Sequence, residues 1–460
     1  MGHDMSMHES PEHQLADYAF FESARTPDAD VTHHAKRVLM DWHAAVISGC
    51  LGPHAVRLEQ ALADELDRGA SRLVSGRRAT PRAAALINAV ASHTQEVDDI
   101  FRDAIYHPGS PIISAVLSAA QARGRSGLDV LRGVVAGYEV STRIGAAIAR
   151  EHCRFWHATG TVGTMGAAVG AAVTLGLSRE QIRHALATSV TFASGLQQAF
   201  RHSSMTKPLH AGHAADVGVM TALAAEQGIE GAARMLDGEA GFGKAMGGDP
   251  DWSKAFSSLG STYNIGSITF KSHCCCGHIF PAVDAALVLR DAVLPRLHEI
   301  ESIHVHTYRV ALNVVGSTQA RDASEARFSL PYMLAHALQH GRVSLDSVAP
   351  SALSDPATRA LMERVVLHLS PELDARFPGQ RSCRLEIRFR DGETLAYLQE
   401  GRVGDPEIPL SDERLTEKYR GLAVPVIGAQ RAEALLRLIQ DLEHLRPEQL
   451  QRLPGDARDE

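Results

Sequence analysis

The run Gly160-Thr161-Val162-Gly163-Thr164-Met165-Gly166-Ala167-Ala168-Val169-Gly170 decides how this chain folds. It is small and mostly apolar, and its glycines recur every three or four residues. That spacing puts them on one helical face, where a neighbouring helix can come close. The G-x-G pair of a dinucleotide-binding turn is missing, so this is not a Rossmann fingerprint. The stretch 162–177 is shorter than a membrane span and is broken by Gly and Thr. On either side of it, apolar residues keep helical periodicity over 31–50, 129–149, 179–193 and 209–226. Thr80-Pro81 opens a further helix, with Thr80 as cap and Pro81 at its first position.

The pattern changes after about residue 267. Residues 301–310 alternate and are β-branched, as a strand is. Residues 382–390 and 393–399 flank Asp391-Gly392, a hairpin turn pair. Helical patterns return at 330–340 and 429–445. The expected fold is mainly α. A large all-helical domain (1–267) is followed by a smaller α+β lid domain (268–405), and C-terminal helices (406–460) return to the helical domain. The segment 232–236 also reads as helical, and 454–460 as a frayed tail.

Composition narrows the chemistry. A chain of 460 residues can bury a large core without disulfides or structural metals. Lys and Arg number 46 against 54 Asp and Glu, a net charge of −8. That balance argues against a general nucleic-acid binder. Six cysteines, three of them adjacent at Cys274, Cys275 and Cys276, form no disulfide framework and suggest a reducing, cytoplasmic setting. The first 14 residues have neither a basic nor an apolar region of a secretory signal. No membrane association is expected.

Three tempting motifs fail. Gly238–Ala245 resembles a P-loop but ends in Ala, without the hydroxyl that would ligate magnesium. His273-Cys274-Cys275-Cys276-Gly277-His278 lacks the two-to-four-residue thiol spacing and the second pair of a zinc site. Buried cysteines packing a turn are the simpler expectation. No G-x-S-x-G elbow is present.

Four segments remain. His93-Thr-Gln-Glu96-Val-Asp98-Asp99 precedes the turn His107-Pro108-Gly109-Ser110. Taken alone, Asp98-Asp99 reads as a solvated helix end. Phe155-Trp156-His157-Ala-Thr159 opens the glycine-rich helix, whose first amides could face an anion. Thr206-Lys207-Pro208-Leu209-His210 places a cation at the wrong end of its own helix dipole, which makes sense beside a bound anion. Phe270-Lys271-Ser272-His273 runs into Gly277-His278. Lysines, histidines and an aspartate at element ends can together hold a small di- or tricarboxylate and move a proton next to a carboxylate.

These segments, with Asp237-Gly238-Glu-Ala-Gly241-Phe242 and Phe328-Ser329-Leu330-Pro-Tyr332, resemble the MmgE/PrpD family in order and spacing. The resemblance covers most of the chain. It implies a homodimer of helical and α+β domains with no metal or organic cofactor. Its members include 2-methylcitrate dehydratases, cis-aconitate decarboxylases and iminodisuccinate epimerases. By the same resemblance Asp98, His107, His157 and His278 fall on catalytic positions, and Lys207, Lys271 and Tyr332 on substrate-binding ones. The turn continues as Ser110-Pro111-Ile112-Ile113, which looks more like the decarboxylase and epimerase side than the dehydratase side. The expectation is a cofactor-independent lyase acting on a small di- or tricarboxylate. The alternatives are an epimerase of an iminodisuccinate-like diacid, a carboxylate-binding protein without turnover, and a metal enzyme using the His-Cys cluster.

Overall fold

The computed structural model describes residues 10–148, 151–200 and 204–453. The leader and tail expectations at 1–9 and 454–460 lie outside the described residues. The chain divides into two compact units. The first comprises residues 1–94, 98–268 and 412–460; the second comprises 95–97 and 269–411.

The first unit is built around the helix Ala158–Leu175, all of whose residues are buried. It is long and apolar enough to cross a membrane, but complete burial within the protein marks it as a core helix. Its small residues let the helices Gly109–Arg123, Gly127–Ala147 and Lys207–Glu226 pack onto it. A Cβ on Gly133 would stand 2.6 Å from the Gly170 carbonyl, and one on Gly166 would stand 2.7 Å from Ser141 Cβ. Only glycine permits backbones this near.

Helix starts follow local chemistry. Thr80 accepts the Ala83 amide and Pro81 is the first helical residue. Ser126 with Asp129, and Ser178 with Gln181, form capping boxes. Inside this unit Arg143 pairs with Glu139 at 3.3 Å and donates to the Ser257 and Thr262 carbonyls. Glu139 also accepts the Ile265 amide, so the irregular stretch 257–265 is pinned to the core. Burial raises the Glu139 carboxyl to about 7, against the pull of Arg143.

Two features depart from the helical expectation. The strands β1 (Leu66–Arg72) and β2 (Arg78–Ala79) form a small antiparallel hairpin. Residues 232–236 form turns rather than helix.

The second unit carries a four-stranded sheet. Its strands are β3 (Ile300–Thr307), β4 (Val365–Leu369), β5 (Cys383–Phe389) and β6 (Thr394–Gln399), in the order β4-β3-β5-β6. β3 pairs parallel with β4, and the other pairs are antiparallel. Ile303, Val305, Leu385 and Ile387 point to one face, where Phe280, Val283 and Leu334 join them in a core. The hairpin at Asp391-Gly392 forms with Gly392 at φ 91°. The apolar residues of β4 lie between short helices and do not alternate clearly, so the sequence pattern does not mark this strand.

The glycine contact is directly testable. Gly133→Ala should cost about 1–3 kcal/mol through overpacking, read as a lower denaturant midpoint. Gly421→Ala, where an added Cβ meets nothing within 4 Å, should leave the midpoint unchanged or raise it. Equal midpoints for the two variants would contradict the packing described.

Candidate active site

The first unit gathers its functional side chains at helix ends. Pro81–Ser92 ends on His93, which is 1% exposed. Its Nδ1 lies 2.6 Å from Asp98 Oδ2. The same carboxylate oxygen accepts Ser110 Oγ at 3.1 Å and stands 3.5 Å from His107 Nδ1. His107 Nδ1 donates to the Asp99 carbonyl at 2.8 Å, and the His107 amide donates to Thr159 Oγ1. Asp98 is thus held by the turn that precedes the helix Gly109–Arg123.

Asp98 and Asp99 are each only 2% exposed, so the solvated helix end expected for the pair is corrected. Their roles separate. Asp99 accepts the Gly109 amide at 3.0 Å and bonds the Tyr138 hydroxyl at 2.8 Å. Burial, and then the charge of Asp41, push its carboxyl up to about 8. At neutral pH it is protonated and structural. Asp98 instead faces two histidines.

His157 caps the start of Ala158–Leu175 and accepts the Gly160 and Thr161 amides with its carbonyl. Its ring stacks on His93 at 5.6 Å, and its Nδ1 lies 3.1 Å from His210 Nδ1. His93 also meets His107 edge-on at 5.0 Å. His107, His93, His157 and His210 therefore form a continuous chain of imidazoles. Lys207 is the first residue of Lys207–Glu226, and His210 follows it at i+3 on the same side. Burial, then the charges of His93, Lys207, His107 and His210, hold His157 well below the ordinary imidazole range. Burial, then His93, His213 and Lys207, lower His210 to about 4. Both rings are neutral in the free protein.

His93, Asp98 and His107 also offer three ligand atoms within 4.8 Å of one another. Two imidazoles and a carboxylate could hold a divalent metal. Among the described residues they form the one such group, and it lies away from the cysteines in sequence. Cys275 is fully buried, and burial raises its thiol well above the ordinary range. This is the chemistry of a packed turn.

The second unit holds the remaining predicted residues. Lys271 is 2% exposed and donates to Glu96 Oε2 at 3.0 Å. Glu96 has φ 56°, an uncommon conformation for a residue with a side chain. Arg327 donates to Gln95 at 2.6 Å, so both cations engage the segment 95–97. His278 Nδ1 lies 2.7 Å from the Tyr308 hydroxyl. Burial, then Arg381 and Arg402, lower its ring to about 3, so it is neutral. That state suits a hydrogen bond to a ligand better than proton donation from an imidazolium.

Tyr332 lies apart from Lys271 and His278 in its own surroundings, with the Arg359 guanidinium 5.4 Å from its ring centre and His336 stacked at 6.0 Å. The tyrosine is fully buried in the apolar core, and its hydroxyl donates to the Ser347 carbonyl at 2.7 Å.

The MmgE/PrpD N-terminal domain matches residues 13–255 and the MmgE/PrpD C-terminal domain matches 273–444. The chain belongs to the MmgE/PrpD family. It is 30% identical to a cis-aconitate decarboxylase of Homo sapiens, over 80% of this chain and 78% of that protein. It is 28% identical to a cis-aconitate decarboxylase-like protein of Aspergillus oryzae, over 90% of this chain and 91% of the relative. A mitochondrial 2-methylcitrate dehydratase of Yarrowia lipolytica is 26% identical, over 59% and 54%. These relatives are lyases, and the chain is a lyase-type enzyme of this family.

His93 and His210 lie within the sequence motifs, but the motifs alone assign them no role. The available signal was position. His93 lies five residues before Asp98, and His210 lies one helical turn after Lys207. A lone histidine in an apolar stretch is more often core, and only the fold stacks these rings together.

The state of Asp99 has a measurable consequence. Its folded pKa lies above its unfolded value, so its contribution to stability is greatest at low pH and declines as pH rises from about 4 to 8. Asp99→Asn mimics the protonated form and removes that decline. Relative to wild type, the variant should gain stability between pH 5 and pH 8 in matched denaturation series. A constant difference across that range would refute the assignment.

Proposed function

We propose that this enzyme decarboxylates a small unsaturated tricarboxylate of the cis-aconitate type. The observation that carries the proposal is the buried His93–Asp98 pair, in line with His107, His157 and His210 and beside Lys207. It offers both a proton route and a cation for a carboxylate. The similarity to cis-aconitate decarboxylases over most of the chain supports the same substrate class. So does the turn sequence Ser110-Pro111-Ile112-Ile113, which looks more like the decarboxylase and epimerase side of the family.

The chemistry balances as follows. The carbon–carbon bond to one carboxylate breaks, and its electron pair becomes a new double bond. The displaced π pair takes one proton, and carbon dioxide leaves. An acid must therefore supply one proton per turnover. Neutral His157 cannot supply it in the free enzyme. A bound tricarboxylate brings negative charge, which raises the basicity of a nearby imidazole and loads it with a proton. Asp98 orients His93 through the contact at its Nδ1. Lys207 holds a substrate carboxylate, aided by the amides that begin Ala158–Leu175. In the second unit, Lys271 and His278 serve as carboxylate-binding groups, with Lys271 released from Glu96 when a carboxylate takes its place. A homodimeric, cytoplasmic enzyme needing no metal or organic cofactor completes the proposal.

Proton NMR of the enzyme with cis-aconitate in D₂O tests the reaction. Loss of carbon dioxide with one deuterium in a new unsaturated dicarboxylate is the expected result. Exchange without loss of carbon would indicate an epimerase, and turnover of 2-methylcitrate alone would indicate a dehydratase. Lys207→Ala should lower turnover by about 100-fold with its circular dichroism unchanged.

Binding should also take up protons. Calorimetric titration of cis-aconitate near pH 7, repeated in buffers of different ionisation enthalpy, should show net uptake that His157→Gln removes. Binding with no buffer dependence would rule out proton loading by the substrate.

A further inference from the structure

A cavity of about 460 Å³ lies in the first unit and shares no lining residue with the histidine chain. Arg72, at the end of β1, opens onto it. Arg431, Leu435, Arg437 and Leu438 come from the helix Asp412–Gln440, and Arg452 from the turn after it. With Ala434, steps of three and four residues (431, 434, 437 and 431, 435, 438) put the helical members on one face. Four arginines line the cavity and no carboxylate does, in a chain whose net charge is −8. Glu433, on the same helix, is turned to Arg420 as an ion pair.

Arg72 is the informative residue. Its backbone is fixed on both sides: the amide donates to Gln121 at 3.0 Å and the carbonyl accepts Asn88 at 2.9 Å. Its Nε is buried with no hydrogen-bond partner among the described residues. A buried charged donor without an acceptor is costly, and an anion in the cavity would relieve it. The volume lies in the range of organic ligand sites and exceeds the need of a lone inorganic anion. Guanidinium groups match phosphate oxygens two at a time. Leu435 and Leu438 offer an apolar surface for the remainder of such a ligand.

We propose that this cavity binds an organic polyphosphate of nucleotide size, with its phosphates on the arginines and its ring system over Leu435 and Leu438. The site is separate from the carboxylate chemistry, so it would serve regulation or stability rather than turnover.

Calorimetric titration of the full chain with ATP tests this at low salt. One ATP should bind per chain, and an equal concentration of citrate should not displace it. Arg437→Gln/Arg452→Gln changes two exposed side chains and should weaken ATP by at least about tenfold. Arg72→Gln should do the same, and both variants should keep basal decarboxylation. Absence of ATP binding, or equal affinity in wild type and both variants, would overturn the proposal. Displacement by citrate would do so too. Binding of anionic phospholipid vesicles in place of ATP would identify a membrane surface instead. Binding of ATP only after removal of residues 454–460 would make the chain's own acidic end the occupant.

Discussion

Everything in the first unit depends on how closely helix backbones approach Ala158–Leu175. Gly133 and Gly166 allow contacts that any side chain would prevent. Because the helices Gly109–Arg123 and Lys207–Glu226 pack on this same central helix, their N-terminal ends are fixed relative to its own. Those ends carry Ser110, Lys207, His210 and His157. A packing constraint in the core thus becomes a positional constraint on the chemistry.

Burial does the electrostatic work at this cluster. Water would charge the imidazoles as pH falls below neutrality, whereas the interior keeps His157 and His210 neutral. The same burial keeps Asp99 protonated. Asp98 faces His93 and His107 while Asp99 holds the turn through Gly109 and Tyr138. Neighbours in sequence differ in role because their side chains point into different surroundings.

The second unit follows another logic. Its sheet is covered on one face by apolar helices, and Tyr332 belongs to that cover. Lys271 is buried beside Glu96, a pair that is stable only while each partner neutralises the other. The polyanion cavity proposed for the first unit differs in kind: its arginines line an opening without an acid among them.

The sequence by itself determined the mainly helical class, the helix start at Thr80, the hairpin at Asp391-Gly392 and the family. These follow from periodicity, capping and turn chemistry, which act over a few residues, and from motif order. It also named Asp98, His107, His157, Lys207, Lys271 and His278, because each sits in a dense local motif. Only the tertiary structure decided that Asp98 is buried, that His93 and His210 extend the imidazole chain, and that Tyr332 is core. Those facts depend on side chains distant in sequence meeting out of water, and no local pattern records which surfaces will be covered.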